Sequence, residues 1–423
     1  MRRHLPKMKL ALIADTFPPD RTSGAVQLRD LAREMVSQGH ELTVILPDPT
    51  IADPFKVETI EDAIVLRLKT PAFKDSSYIW RTLAELLMPH LMKANLKHSP
   101  LNSQRWDGVL WYSPSIFFAP LVRDLKRRSR CKAYLIVRDI FPEWALDLGI
   151  MRRGPVYWFF RIIAAGQYRA ADVIGVQSPG NLAYFARRRP SQQRLEVLVN
   201  WLAAPAAEPC SIDVQSTPLA GRQIAVYAGN MGVAQGVDAI IAMAEAMVHR
   251  QDVGFLLVGR GSEVCRLKAL AMSRGLTNVA FNAEIPPDQI PALYAQCHLG
   301  LVALDPRHKS HNIPGKFISY IQSGLPVLAC INPGNDLGNL IRNERVGLVC
   351  EGNDGVALAH ACSTLIEDIS RDGAMRQRCL ALFERSFGAG ATASQIVAAL
   401  AGEPRNGPDC QASANSNAAA KSI

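Results

Sequence analysis

The chain has 423 residues, 48% hydrophobic and 20% charged, a balance that excludes a disordered or fibrous polypeptide and suits two or three domains of ~100–200 residues. Residues 1–200 hold 30 Lys and Arg against 19 Asp and Glu (net +11), whereas residues 201–423 hold 17 against 19 (net −2). The electropositive first half implies an anionic partner, a membrane surface or a nucleic acid. The nine cysteines are odd in number and form no Cys-x-x-Cys pair. That fits a reducing cytoplasm better than a disulfide framework or a zinc knuckle. No apolar stretch of signal-peptide length follows the charged Met1–Lys9 segment, and no run of ~18 uncharged apolar residues occurs. The expectation is a cytoplasmic protein, soluble or peripheral on the inner face of the cell membrane.

In chain order, residues 8–16 form a short apolar run ending in a polar turn, the pattern of a buried parallel strand. Leu28, Leu31, Ala32 and Met35 then mark a helix from Gln27 to Gln38, stopped by Gly39, and Glu41–Pro47 is the next strand. This βαβ rhythm continues with a strand at Gly108–Tyr112, a helix near 116–129, a strand at Ala133–Asp139, a helix at 155–171 and a strand at Asp172–Gln177. The stretch from Ala203 to Cys210 carries two prolines and no periodicity, so 203–219 is read as a linker. The rhythm resumes at Gln223 and runs to a strand beginning at Pro326. The reading is therefore α/β, with two Rossmann-like domains (8–202 and 220–385) facing across a cleft, a C-terminal helix (386–402) and a disordered tail (403–423).

Ligands of open α/β sheets sit beyond the C-terminal ends of the strands, so the chemistry is sought there. Ala228–Gly232 ends one strand; Gly229 and Gly232 let backbone turn tightly and approach a diphosphate, or simply turn from strand to helix. Val258–Glu263 offers two further glycines and Arg260, a candidate cation or a plain surface arginine. Pro314, Gly315 and Lys316 open a helix that closes at Gly324. A lysine in a first turn faces the positive end of the helix dipole, which a bound anion explains and a solvated side chain merely tolerates. Arg138 and Asp139 end a strand of the first domain. Asp139 is placed either to orient a hydroxyl or support developing positive charge, or to cap the next helix, and Glu143 reads as a helix-start carboxylate. Gly24, in the loop after the first strand, offers close backbone approach.

The order of these segments resembles the retaining glycosyltransferases of family 4, which have the GT-B fold, over roughly residues 8–400. The segments are Asp15–Pro19, Ala228–Gly232, Glu284–Pro286, and Pro314–Lys316 through Ser323–Val327. Val137–Glu143 and Val199–Trp201 are similar to segments of the WbuB-like subgroup of surface-polysaccharide synthesis. The resemblance implies a nucleotide-diphosphate sugar, UDP-linked by expectation, held mainly by the second domain through Gly24, Gly229, Asn230, Gly232, Arg260, Glu284, Gly315, Lys316 and Ser319. It implies an acceptor held mainly by the first domain, with Asp139 and Arg138 as catalytic residues. No resident cofactor and no metal are expected, and no Asp-x-Asp motif follows a strand. Two departures stand out. His311 and Ser319 occupy the positions of a Glu-x7-Glu pair whose second carboxylate grips the donor ribose, and Asn230 and Gln235 stand where many members carry Arg and Lys.

Residues 151–165 are aromatic-rich and flanked by arginines, and Arg123, Lys126, Arg127, Arg128, Arg130 and Arg187–Arg189 add charge. This pattern is an interfacial surface for anionic lipid, bringing a lipid-linked saccharide acceptor to the cleft, or else ordinary core packing by the same aromatics. Three other functions share these residues: a nucleotide-sugar 2-epimerase, for which His298, His308 and His311 are the candidate histidines while His4, His40 and His90 are unpersuasive; a non-catalytic degenerate transferase; and a nucleic-acid binder, disfavoured because no nucleic-acid motif is present.

Overall fold

The computed structural model describes residues 6–72, 78–187, 193–204, 208–305 and 313–403. His4, Arg188, Arg189, His308, His311, residues 205–207 of the linker and residues 404–423 of the tail lie outside the described residues.

The first sheet is built from β1 (Lys9–Ile13), α1 (Ser23–Ser37), β2 (Glu41–Asp48), β3 (Phe55–Ile60), β4 (Ala63–Lys69), α2 (Tyr78–Leu96), β5 (Gly108–Tyr112), α3 (Ala119–Ser129), β6 (Lys132–Val137), α4 (Glu143–Asp147), α5 (Pro155–Ala170), β7 (Val173–Val176), α6 (Leu182–Ala186) and β8 (Arg194–Val197). The second follows with β9 (Gln223–Ala228), α7 (Asp238–Ala246), β10 (Val253–Val258), α8 (Val264–Ser273), β11 (Val279–Asn282), α9 (Ile290–Tyr294), β12 (Leu299–Ala303), α10 (Gly315–Gln322), β13 (Val327–Ile331), α11 (Asp336–Glu344) and β14 (Gly347–Glu351). Three helices end the described chain: α12 (Gly355–Arg371), α13 (Met375–Ser386) and α14 (Ala389–Ala401).

The strand orders are β3-β4-β2-β1-β5-β6-β7-β8 and β11-β10-β9-β12-β13-β14. Every pairing is parallel except β3 with β4. Order reverses at β1 and at β9, and at each switch point helices on opposite faces diverge and leave a crevice. The central strands are apolar on both faces and each sheet separates two cores, which is why they read as unbroken hydrophobic runs.

Several elements escaped the sequence reading. The β3–β4 hairpin turns through Glu61 and Asp62 at φ +51° and +58°. Asn-Gly is the usual signal for such a turn, and Glu-Asp gives none. The Arg33 guanidinium grips the Glu61 carboxylate at 2.7 and 2.9 Å and helps hold it. Helix α2 buries Ala84, Met88, Met92 and Leu96 while leaving a second apolar stripe exposed, so it lacks a clean polar face. Helix α1 begins at Ser23, four residues before its expected start, because Thr22 accepts from Ala25 N–H at 3.1 Å as its cap.

The chain passes between domains twice at one place. Leu202 N–H donates to Phe387 O at 3.0 Å and Ala389 N–H to Leu202 O at 3.0 Å, a two-chain bridge between Leu202 and Gly388. Beyond it α14 returns to the first domain and buries Ala393, Ile396, Val397 and Leu400 in that domain's core. The later half of the expected linker is structured: Ile212, Val214 and Leu219 belong to the second domain's core.

Because α14 completes the first domain from the far end of the chain, Leu400→Ala should destabilise that domain by about 2–4 kcal/mol. All six tryptophans lie at or before position 201. Urea unfolding followed by their fluorescence should therefore report the loss, and an unchanged midpoint would show that α14 is only attached.

Candidate active site

The C-terminal ends of the two sheets face each other across a cavity of about 620 Å³. Arg138, Asp139, Gly229, Asn230, Arg260, Glu284, Gly315, Lys316 and Ser319 line it, so nine of the expected site residues meet in one place. Six cations and four carboxylates border the cavity, and the surplus of positive charge suits an anionic ligand.

Two expected residues border the site without lining the cavity. Gly24 sits inside the first turn of α1; a Cβ there would meet the Thr16 methyl and the Tyr112 ring at 3.3 Å, so this glycine serves close packing of α1 in its own domain. Gly232 caps a short turn in which its N–H donates to Gln235 Oε1 at 3.2 Å. The glycines of the β10 loop also act differently from expectation. A Cβ at Gly259 would fall 1.9 Å from Gly229 O, and one at Gly261 would fall 2.4 Å from Met231 O. They let two loops lie backbone against backbone, with φ +151° and +146° that other residues rarely adopt.

The polar residues divide by whether they are already satisfied. Arg260 pairs with Glu284 at 3.1 and 3.3 Å, so this expected cation is neutralised by its expected neighbour. Asn230 Nδ2 donates to Gln235 Oε1 at 3.3 Å; the two amides that replace Arg and Lys brace each other and the β9 loop. Arg138 donates to the Asn200 side-chain oxygen and stacks over Tyr112 at 5.7 Å, while Asn200 Nδ2 donates to Ile313 O in the second domain at 2.6 Å. Arg138 thus ties the first domain's wall to the entry of α10.

Lys316 is the exception. Its Nζ donates to the Tyr227 hydroxyl at 2.8 Å and lies 4.2 Å from that ring's centroid. Among the described residues no carboxylate pairs with it, and burial alone pulls its pKa down to about 7. It also occupies the first turn of α10, whose cap Pro314 offers no side-chain oxygen and which carries no acid. Helix α1 points its own acid-free N-terminus into the cleft, with Ser23 and Gln27 opposite Gly315. Two positive helix ends and a partly buried amine therefore converge on one gap, the arrangement that binds phosphate.

Family models for "Glycosyl transferase 4-like domain" and "Glycosyl transferases group 1" match residues 23–201 and 222–368. The chain belongs to the family 4 glycosyltransferases of GT-B fold. It is 23% identical over 345 residues to WbjE of Pseudomonas aeruginosa, named a probable glycosyltransferase, covering 80% of this chain and 85% of the relative. It is also 23% identical over 374 residues to WcaI of Escherichia coli (strain K12), which carries a description as a colanic acid biosynthesis glycosyl transferase, covering 83% and 88%. Among solved structures, Anabaena HepE in complex with UDP-glucose superposes at a TM-score of 0.69 with 16% identity, covering 93% of this chain and all of that one.

The residues the sequence reading missed, Gln27, Arg29 and Asp288 among them, carry no local motif and enter the site only through the facing of two domains. Arg29 and Asp288 pair across the cleft at 3.2 Å. His298, the one candidate epimerase histidine described, stands at the start of β12, the opposite end of the sheet, where its Nδ1 accepts from Ile224 N–H at 2.9 Å. His40 does the same for Met8 at 3.2 Å. Both are spent on strand edges. Among the described residues no three His, Cys, Asp or Glu side chains gather as a metal-holding group.

A lysine whose folded pKa lies below its unfolded value destabilises the fold most at and below that folded pKa, about 7 here, and progressively less as pH rises toward 10.5. Lys316→Met should therefore raise the melting temperature by a few degrees at pH 6.5 and by much less at pH 9.5. Scanning calorimetry at the two pH values tests this, and a variant that melts lower at both would contradict it.

Proposed function

We infer that this glycosyltransferase moves a sugar from a nucleotide-diphosphate sugar, UDP-linked in our reading, to a lipid-linked saccharide in cell-surface polysaccharide synthesis. The observation that carries the donor assignment is Lys316: a partly buried amine with no carboxylate partner among the described residues, at the positive end of α10 and facing a second helix N-terminus. A diphosphate supplies the missing negative charge. The complex of HepE with UDP-glucose and the colanic acid description of WcaI agree with donor and pathway class, as does the WbuB-like resemblance.

In this reading the bond from the anomeric carbon to the distal phosphate oxygen breaks, leaving its electron pair on the phosphate. Lys316 and the two helix ends stabilise that charge. The acceptor oxygen bonds to the anomeric carbon with retention, and Asp139 accepts its proton. No resident cofactor or metal takes part.

The membrane assignment rests on one face of the first domain. Helix α2 exposes Ile79 (77%), Trp80, Leu83, Leu87 (55%) and Leu91, and the α4–α5 region exposes Ile150, Val156, Trp158, Phe159 and Ile162 (69%). Tyr157 alone of the α5 aromatics is buried, and Phe160 packs on Phe117 and Phe141, so the helix divides its rings between core and solvent. Helix α3 touches both α2 and α5 and carries Arg123, Lys126, Arg127 and Arg128, of which Lys126 pairs with Asp172 and Arg127 and Arg128 with Asp124. Apolar stripes beside basic residues match an anionic bilayer surface, where a cation without a carboxylate partner contributes about 1 kcal/mol. No described helix is long and apolar enough to cross a membrane.

A thermal-shift panel of UDP-, GDP-, dTDP- and CMP-sugars should reveal one preferred base, and no shift with any of them would overturn the donor assignment. Asp139→Asn should keep nucleotide binding and lower turnover about 100-fold or more; undiminished turnover would make the carboxylate structural. Vesicles rich in phosphatidylglycerol should bind the protein and release it in 0.5 M salt, where the screening length is about 4 Å. Trp80→Ser with Leu87→Ser should weaken that partitioning at least about tenfold; equal binding by the variant would remove α2 from the docking face.

A further inference from the structure

Gln27 is 1% exposed, lines the cleft, and has a side-chain nitrogen with no hydrogen-bond partner. Its other polar atoms are engaged. The Tyr112 hydroxyl donates to Gln27 Oε1 at 3.3 Å, and Trp201 Nε1 donates to the Gln27 backbone oxygen at 2.7 Å. Tyr112 in turn lies under the Arg138 guanidinium. The amide is therefore held from behind by two aromatic side chains, and its unpaired N–H group faces forward.

What it faces is the start of α10. A Cβ built on Gly315 would lie 3.9 Å from Gln27 Nε2 and 3.5 Å from Ser23 Oγ. The free amide thus stands between the helix end that carries Lys316 and the wall that carries Arg138 and Asp139. A buried N–H without an acceptor costs the fold about 1–3 kcal/mol, so it persists where a ligand supplies the acceptor. Water or a hydroxyl would satisfy the amide too, but only an anionic oxygen also answers Lys316 and both helix ends.

We propose that Gln27 Nε2 donates to a non-bridging oxygen of the donor's distal phosphate, making this residue of the acceptor-side domain part of the diphosphate site. This rests on the nucleotide-sugar reading above. Gln27 belongs to the first domain and the start of α10 to the second, so this contact would join the two domains through the diphosphate. Nucleoside monophosphates, which lack the distal phosphate, escape this contact.

The test compares UDP, GDP and dTDP with their monophosphates by titration calorimetry. Gln27→Glu keeps an acceptor for Tyr112 and puts a carboxylate where the donor stood, and Gln27→Met removes both functions. Tyr112→Phe removes the rear contact and leaves the forward amide in place. For the preferred base, both Gln27 variants should lose about tenfold or more in diphosphate affinity, Gln27→Glu the more. Monophosphate affinity should stay within about twofold, and Tyr112→Phe should resemble the wild type in its diphosphate preference. Equal losses for monophosphate and diphosphate, or diphosphate affinity unchanged in Gln27→Glu, would overturn the proposal while wild-type binding leaves the donor reading intact. Wild-type protein that binds none of the six nucleotides would bring down the donor reading, and this proposal with it.

Discussion

A partly buried lysine amine at a helix start, hydrogen-bonded to a phenol, is the physical constraint around which this molecule is arranged. Lys316 sits where a helix dipole already concentrates positive potential, and the nearest compensating group is the hydroxyl and ring face of Tyr227. Such an arrangement costs stability in the empty protein. It becomes favourable when an anion arrives, because the same low local dielectric that penalises the lone charge strengthens its attraction to an opposite one. The cost falls at the point where binding energy is needed, which is how strained groups at functional sites are maintained.

The rest of the architecture keeps that gap at a defined width. Each sheet brings its switch-point loop to the cleft, and the chain crosses between domains at a paired bridge, Leu202 with Gly388. Asp30, buried in α1, accepts from Ala203 N–H at 2.8 Å, and Gln322 at the end of α10 donates to Ala203 O. One residue of the connection is thus tied to a helix of each domain, and these are the two helices whose N-termini meet in the cleft. Arg29 with Asp288, and Gly180 N–H with Asp336, add contacts at other points of the boundary.

The neutral replacements in this chain are intelligible on the same terms. A lysine at 235 beside an arginine at 230 would need a bound anion to offset their repulsion. Asn230 and Gln235 instead hydrogen-bond to each other and keep the β9 loop in shape without a ligand. Arg260 and Glu284 likewise neutralise each other at the mouth of the cleft. Arg138 is tied to the neutral Asn200 side chain, so its charge adds to that of Lys316 and the two helix ends at the cleft.

The sequence by itself determined the two-sheet α/β organisation, because strands buried on both faces are continuous apolar runs and the helices between them repeat at 3.6 residues. It also determined the helix opening at Pro314–Lys316, since proline, glycine and lysine in that order mark a helix start and an unusual charge. Local signals of this kind depend on neighbours a few residues apart. Only the tertiary structure decided that Gly24 and the β10-loop glycines serve packing, that α14 completes the first domain, and that α2 adds an apolar stripe beside α5. It alone placed Gln27 opposite Gly315, 288 positions along the chain. Those facts arise from which surfaces of two separate domains meet, and no spacing along the chain encodes a distance set by the packing of one sheet against another.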